Sequence, residues 1–109
     1  MEHKMKLVDF AFNKIKSGEK NIEIRLNDEK RKLINIGDII EFTNIDTREI
    51  IKVKVVNLYK YKSFKDLFDN YDNKSLGLSK LDTYEIMNNF YSIEDQEKYG
   101  ALAIEIKLI

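Results

Sequence analysis

The chain has 109 residues, enough for one domain with a buried core and too few for two. Nineteen Lys and Arg balance nineteen Asp and Glu, so no global basic excess drives association with a phosphate backbone, and any nucleic-acid site has to be local. With no Cys and His3 the single histidine, disulfides, thiolate catalysis, Cys- or His-based metal sites and a Ser-His-Asp triad are excluded, leaving an oxygen-liganded Mg²⁺ as the one metal chemistry open and nothing in favour of it.

A hydrophobic fraction of 43% with six Tyr and six Phe describes a globular chain. No apolar run approaches the ~20 residues that span a bilayer, and Met1-Glu2-His3-Lys4 is not followed by a signal-peptide core. The expectation is a soluble, cytoplasmic protein with no membrane contact and no cofactor.

Taken in order, Met5–Leu7 opens as a short extended segment. Asp9–Lys16 reads as a short helix with Phe12, Ile15 and Val8 turned inward at spacings of three and four. Gly18 stands at the helix C′ position, where positive φ is needed; a residue without a side chain also lets a ligand approach the backbone. In Asn21–Leu26, Ile22, Ile24 and Leu26 alternate with Asn21, Glu23 and Arg25, so a strand sends the first set to a core and the second to the opposite face. That face holds a carboxylate and a guanidinium with Lys20 arriving from the turn. As a solvated surface it is an ordinary ion pair worth about 0–1 kcal/mol; in a cleft it is a site.

Asn27–Lys32 is a charged turn of helix with Asn27 as N-cap, and Arg31 and Lys32 sit on it within reach of a phosphate. Ile36-Gly37-Asp38 is a tight turn into Ile39–Phe42, and Asn44–Arg48 is a hairpin connection into a long strand, Ile50–Tyr59. Its alternation slips after Val55, which marks a bulge in a curved sheet. Three Ser-x-x-Asp boxes, at Ser63, Ser79 and Ser92, then announce helices over Phe64–Tyr71, Lys80–Phe90 and Ile93–Tyr99. Their predicted inward residues are Phe64, Leu67 and Phe68, then Tyr84, Met87 and Phe90. Ala101–Leu108 closes as a strand inside the sheet.

The run Phe12-x-x-Ile15-x-x-Gly18-x-Lys20-x-Ile22-Glu23-x-Arg25, followed by Ile36-Gly37-Asp38-x-Ile40-x-Phe42, Tyr91-Ser92-x-Glu94 and Tyr99-Gly100-Ala101-x-Ala103-Ile104-x-Ile106, resembles stand-alone prokaryotic ASCH domains. That family is similar in fold to PUA domains. The order and spacing of these pieces across the whole chain carry the resemblance, since no one of them is specific. It implies an α+β fold: a small PUA-like β-barrel of about five to six strands with flanking short helices. It also implies a cleft bearing Gly18, Lys20, Glu23 and Arg25, and RNA or a modified nucleoside as ligand. In the family the Tyr-Ser-x-Glu element lies against the Gly-x-Lys strand, which makes Glu94 a second cleft carboxylate and brings Tyr91 and Ser92 near it.

Two functions follow. In a binding module for RNA or a nucleotide, Lys20, Arg25 and Arg31 hold phosphate, Tyr91 or Tyr99 stacks on a base, and Glu23 accepts from the base edge. In a metal-independent hydrolase, Lys20 matches the lysine of the small ASCH amidohydrolases that deacetylate N4-acetylcytidine. The family's threonine three residues later is Glu23 here, so a Lys-activated water with Glu23 or Glu94 as general base at raised pKa has to replace it. A ribonuclease-like cleft of Lys, Glu and Arg is a variant of this. Ser92 reads as an N-cap without a histidine to activate it, and the missing threonine ranks binding first. An adaptor domain whose charges only neutralise one another is the third reading.

Overall fold

Alternating apolar and charged residues dictate five strands whose order in the sheet differs from their order in the chain. The computed structural model describes residues 1–77 and 80–109, with side chains over 1–77 and 85–109. Strands β1 (Glu2–Leu7), β2 (Ile22–Leu26), β3 (Ile39–Asn44), β4 (Ile50–Tyr61) and β5 (Ala101–Leu108) pair in the order β1-β3-β4-β5-β2. Strand β1, longer than the predicted Met5–Leu7, runs parallel to β3 with Lys4 beside Glu41 and Lys6 beside Thr43. The other pairings are antiparallel. β1 and β2 are therefore the two edges, and the sheet curls into a half-barrel open between them rather than a closed barrel. The slip predicted in β4 is a register shift between Val55 and Asn57 against β5, which strengthens the local twist.

Strand β5 is buried on both faces and separates two apolar clusters. Leu102, Ile104 and Ile106 point into the half-barrel with Met5, Leu7, Phe42, Val53 and Val55. Ala101 and Ala103 point outward, where their small size admits Phe64, Leu67, Phe68 and Leu76 against Ile22, Ile24 and Leu26. So the apolar face of β2 belongs to the outer cluster. Its other face belongs to the barrel.

Helix α1 (Asp9–Lys16) has its predicted bounds and covers the barrel mouth with Phe12 and Ile15 fully buried. Val8 is 50% exposed, against expectation, because it is the N-cap with an extended backbone (ψ 156°) and so lies outside the helical repeat. Gly18 takes φ +84° and its N–H bonds to the Ile15 carbonyl, as a C′ glycine does. Arg31–Leu33 forms a 3-10 turn that starts after Lys30 without a side-chain cap, and Asp28 accepts from Arg31 N at 3.0 Å; the predicted cap, Asn27, is instead buried with its N–H on the Gly100 carbonyl.

Ser63 caps α2 (Phe64–Phe68), and Phe64, Leu67 and Phe68 are buried as expected. The helix predicted to continue to Tyr71 stops at Phe68 because Asp72 caps a separate helix, α3 (Asn73–Leu76), which ends at Gly77 with φ +83°. Helix α4 spans Lys80–Phe90; its Ser79 box and the Tyr84 side chain lie outside the described residues. Met87 packs against the outer cluster, while Phe90, predicted inward, is 71% exposed at the helix end. Ser92 Oγ accepts from Asp95 N at 3.1 Å and caps α5 (Ile93–Tyr99). Among the described residues no helix is long and apolar enough to cross a membrane.

Candidate functional site

The antiparallel register places Glu23 beside Ile104 and Arg25 beside Leu102, and directly paired residues share a face. Both charged side chains thus enter the interior of the half-barrel, at the edge where β1 leaves it unpaired. This face of β2 is not solvated: Glu23 is 5% exposed. Arg25 spans the open seam, donating from Nη2 to the Lys6 carbonyl of β1 at 3.2 Å. It also grips Glu23 Oε2 through Nη2 at 2.9 Å and Nε at 3.3 Å.

Lys20 reaches the same carboxylate from the turn after α1 and is 7% exposed. Its Nζ donates to the Ile22 carbonyl at 2.6 Å and the Leu76 carbonyl at 2.9 Å, and stands 3.5 Å from Glu23 Oε1. An ammonium has three donors, and these three acceptors occupy them. Gly77 lies against the lysine stem so closely that a Cβ there would come within 2.9 Å of Lys20 Cδ. Glu23 Oε1 further accepts the Ile24 backbone N–H at 3.1 Å. Each carboxylate oxygen therefore faces two donors.

Burial alone would raise the Glu23 carboxyl, but Arg25 and then Lys20, with the bonds from Arg25 and Ile24, hold it below its ordinary 4.5. Burial lowers the Lys20 ammonium, with Glu23 opposing that shift. For Arg25, burial acts to lower the guanidinium and Glu23 outweighs it, with a smaller contribution from the Tyr91 phenol, so the net direction is up. Lys20 and Arg25 thus converge on one buried carboxylate, that of Glu23. Glu23 is an ionised acceptor already supplied with donors, not the raised-pKa base that a hydrolase requires.

Above this floor opens a cleft of about 500 Å³. Its walls are Leu7, Val8, Phe10 and Ala11 from the β1–α1 side, Ile45 from the β3–β4 turn, and Ile86, Met87, Phe90 and Tyr91 from the end of α4. The two exposed phenylalanines, Phe10 and Phe90, stand on this cleft. Tyr91 lines it while stacking on Phe64 of the outer cluster at 5.9 Å and 7°.

Of the residues singled out from sequence, Lys20, Glu23, Arg25 and Tyr91 meet here. Gly18 does not line the cleft, and open space surrounds the position of its missing Cβ; its conformation is a helix-cap requirement. Ser92 faces solvent as a cap, and Glu94 is exposed in the first turn of α5, on the dipole-favoured side of that helix, so neither joins Glu23. Tyr99 packs on the outer cluster with Lys98 and Lys32 over its ring at 5.1 and 5.7 Å. Arg31 lines a second, adjoining groove and is paired with Asp28 at 2.8 Å. Sequence reasoning missed Lys6, Phe10 and Gly77. Lys6 needs the parallel β1 pairing to reach the seam, and Gly77 carried only the signal of a helix end.

The sequence profile of the ASCH domain family matches residues 5–109. Among solved structures, the chain is similar to hypothetical protein PH0355 (38% identity, all of both chains covered, TM-score 0.88). It is also similar to protein PF0455 from Pyrococcus furiosus (33% identity, 100% of this chain and 98% of that one, TM-score 0.76). The ASCH protein of Zymomonas mobilis, at 16% identity over 97% of this chain and 66% of that one, shares the fold with a TM-score of 0.71. Among proteins with curated descriptions, none matches the chain.

Proposed function

The chain belongs to the ASCH domain family, and from that membership we propose that its cleft binds a single base of RNA or of a nucleotide. The observation that carries this reading is Arg25: a guanidinium fixed by Glu23 and the Lys6 carbonyl at the floor of an apolar cleft. The volume, about 500 Å³, lies within the ~300–1,000 Å³ of small-molecule sites. Apolar walls with Phe10, Phe90 and Tyr91 suit the flat face of a base. Glu23 and the Lys6 carbonyl occupy Nε and Nη2, and the Tyr91 phenol also stands against the guanidinium, so an oxygen or ring-nitrogen acceptor on the base edge would meet Arg25 beside the Tyr91 hydroxyl. Glu23 serves as the anchor of Arg25 rather than as the base-reading acceptor.

The hydrolase reading draws less support. Lys20 spends its protons on two carbonyls and Glu23, and a carboxylate held below its ordinary pKa is a weak proton acceptor near neutrality. Ligand-observed NMR against nucleosides, nucleotides and a short single-stranded RNA tests the proposal, with N4-acetylcytidine included and followed over hours. Binding without conversion is expected. Arg25→Ala should weaken it about 10- to 100-fold, the ~1.5–3 kcal/mol of a hydrogen bond from a charged donor. Silence across the panel, or binding indifferent to Arg25→Ala, refutes it; release of cytidine and acetate would establish the hydrolase instead.

A further inference from the structure

Beside the cleft lies a second concavity of about 380 Å³, lined by Lys4, Lys6, Lys30, Arg25, Arg31, Met5 and Thr43. Five of its seven lining residues are cationic and none is acidic. Two of the five, Arg25 and Arg31, are paired with Glu23 and Asp28, and the three lysines, among the described residues, are not. Lys14, Lys16, Lys20, Lys32 and Lys52 each stand within 4 Å of a glutamate. Among the described residues Lys4, Lys6 and Lys30 have no ion pair, as is true of exposed lysines elsewhere such as Lys54, Lys60 and Lys65; what sets the three apart is that they share one concavity with Arg25 and Arg31 and no carboxylate. Glu41 stands next to Lys4 in the β1–β3 register yet makes none with it. Alternation along β1 is the cause: Met5 and Leu7 fill the barrel, so Lys4 and Lys6 leave by the other face, together. Lys30 and Arg31 come over the seam from the loop after β2.

The groove and the cleft are not separate sites. Lys6 and Arg25 line both, and the Arg25-to-Lys6 bond is the ridge between them. We propose that the basic groove holds phosphate attached to the base that occupies the cleft, so that the ligand is phosphorylated and lies across the open edge of the half-barrel, over Arg25. This rests on the base-binding reading above and adds the chemical class of its neighbour. Three unpaired lysines in one concavity offer charge for more than one phosphate, and Thr43 lines the same groove.

The test compares, for the intact protein, affinity for a nucleoside, its 5′- and 3′-monophosphates and a short single-stranded RNA, the RNA over a salt series. Neutralising three phosphates on a single strand gives a log–log salt slope of about −2, an affinity loss of about 20-fold between 50 and 200 mM salt. Lys4→Gln and Lys30→Gln, both on exposed side chains, should each make the slope shallower by about 0.7. Lys65→Gln, on the exposed face of α2, is the control and should leave it alone. A monophosphate that recovers the full gain of the RNA assigns the groove to a free nucleotide; a gain that needs the strand assigns it to RNA. RNA binding no tighter than the nucleoside, or a slope that Lys65→Gln flattens as much as Lys4→Gln, overturns the groove and leaves the cleft standing. A salt-dependent RNA affinity without any nucleoside binding does the reverse: the groove stands and the base-binding reading falls.

Discussion

Glu23→Gln removes one charge and no volume, and it leaves two buried cations facing an amide. Lys20 and Arg25 lie 3.5 and 2.9 Å from the carboxylate, with side chains 7% and 16% exposed. Removing one partner of a buried pair costs about 3–5 kcal/mol. Arg25 sits at the seam and recovers some hydration when released, so the lower figure, about 3 kcal/mol, applies. Unfolding entropy of about 2.1 cal/mol/K per residue over 109 residues gives about 0.23 kcal/mol/K, and the variant should melt about 13 °C lower at pH 7. The pH dependence follows from the same carboxyl. Its folded pKa lies below 4.5, so its stabilisation is present above the unfolded value and is lost as pH falls through the folded one. The gap between wild type and variant should therefore be full at neutral pH and narrow in acid. Urea unfolding of both proteins across pH 2.5–8 is the assay. A difference under about 0.5 kcal/mol at pH 7, the size of an ordinary surface change, or a gap that fails to narrow, would refute the buried-cluster account.

Gly77→Ala should cost about 1–2 kcal/mol of backbone strain plus the displacement of the Lys20 stem it would touch at 2.9 Å, whereas Gly18→Ala, at φ +84° in open space, should show the strain alone; equal losses by thermal melting would mean that Gly77 does not brace Lys20. Asp38 is held at about 2, chiefly by His3 Nε2 at 2.8 Å and then by the Asn35 N–H, so His3→Ala should move its carboxyl toward the ordinary 3.8 in an NMR titration, and no movement would break that assignment. Because a depressed carboxyl stabilises above its unfolded pKa, wild type should lose this contribution as pH falls from about 4 toward 2. Ser92→Ala should destabilise by about 1 kcal/mol as a lost N-cap and leave ligand affinity intact; an affinity loss beyond its stability effect would bring Ser92 back to the site.

Local chemistry was legible in the sequence wherever one segment decides the outcome. Asp9–Lys16, the positive φ of Gly18, the caps at Ser63 and Ser92 and the slip in β4 each depend on a few adjacent residues. What depends on register between distant segments was not. Glu23 and Arg25 read equally as a solvated face or a cleft, and only their pairing with Ile104 and Leu102 sends them inside. Glu94 was carried to the cleft by family likeness, yet α5 turns it to solvent. The parallel β1–β3 ladder leaves no local mark, so Lys4 and Lys6 gave no sign of sharing a groove with Lys30. Asp72 carries a cap signal of its own, masked in the sequence by the apolar spacing of Phe64, Leu67 and Phe68, which runs on toward Tyr71.

Strand β2 holds the sheet through β5 alone, and that pairing joins Ile22 to Glu105, near opposite ends of the sequence. During synthesis the segment bearing Glu23 and Arg25 emerges early and waits, without a ladder partner, until the final strand is made. Contacts this distant close late and slowly. The same dependence acts in the native state: any excursion that peels β5 away releases β2 with it, so the amides of the two strands should exchange with solvent as one unit rather than fraying separately. The Lys20–Glu23–Arg25 floor of the cleft is then held in the sheet only once the β2–β5 ladder has formed.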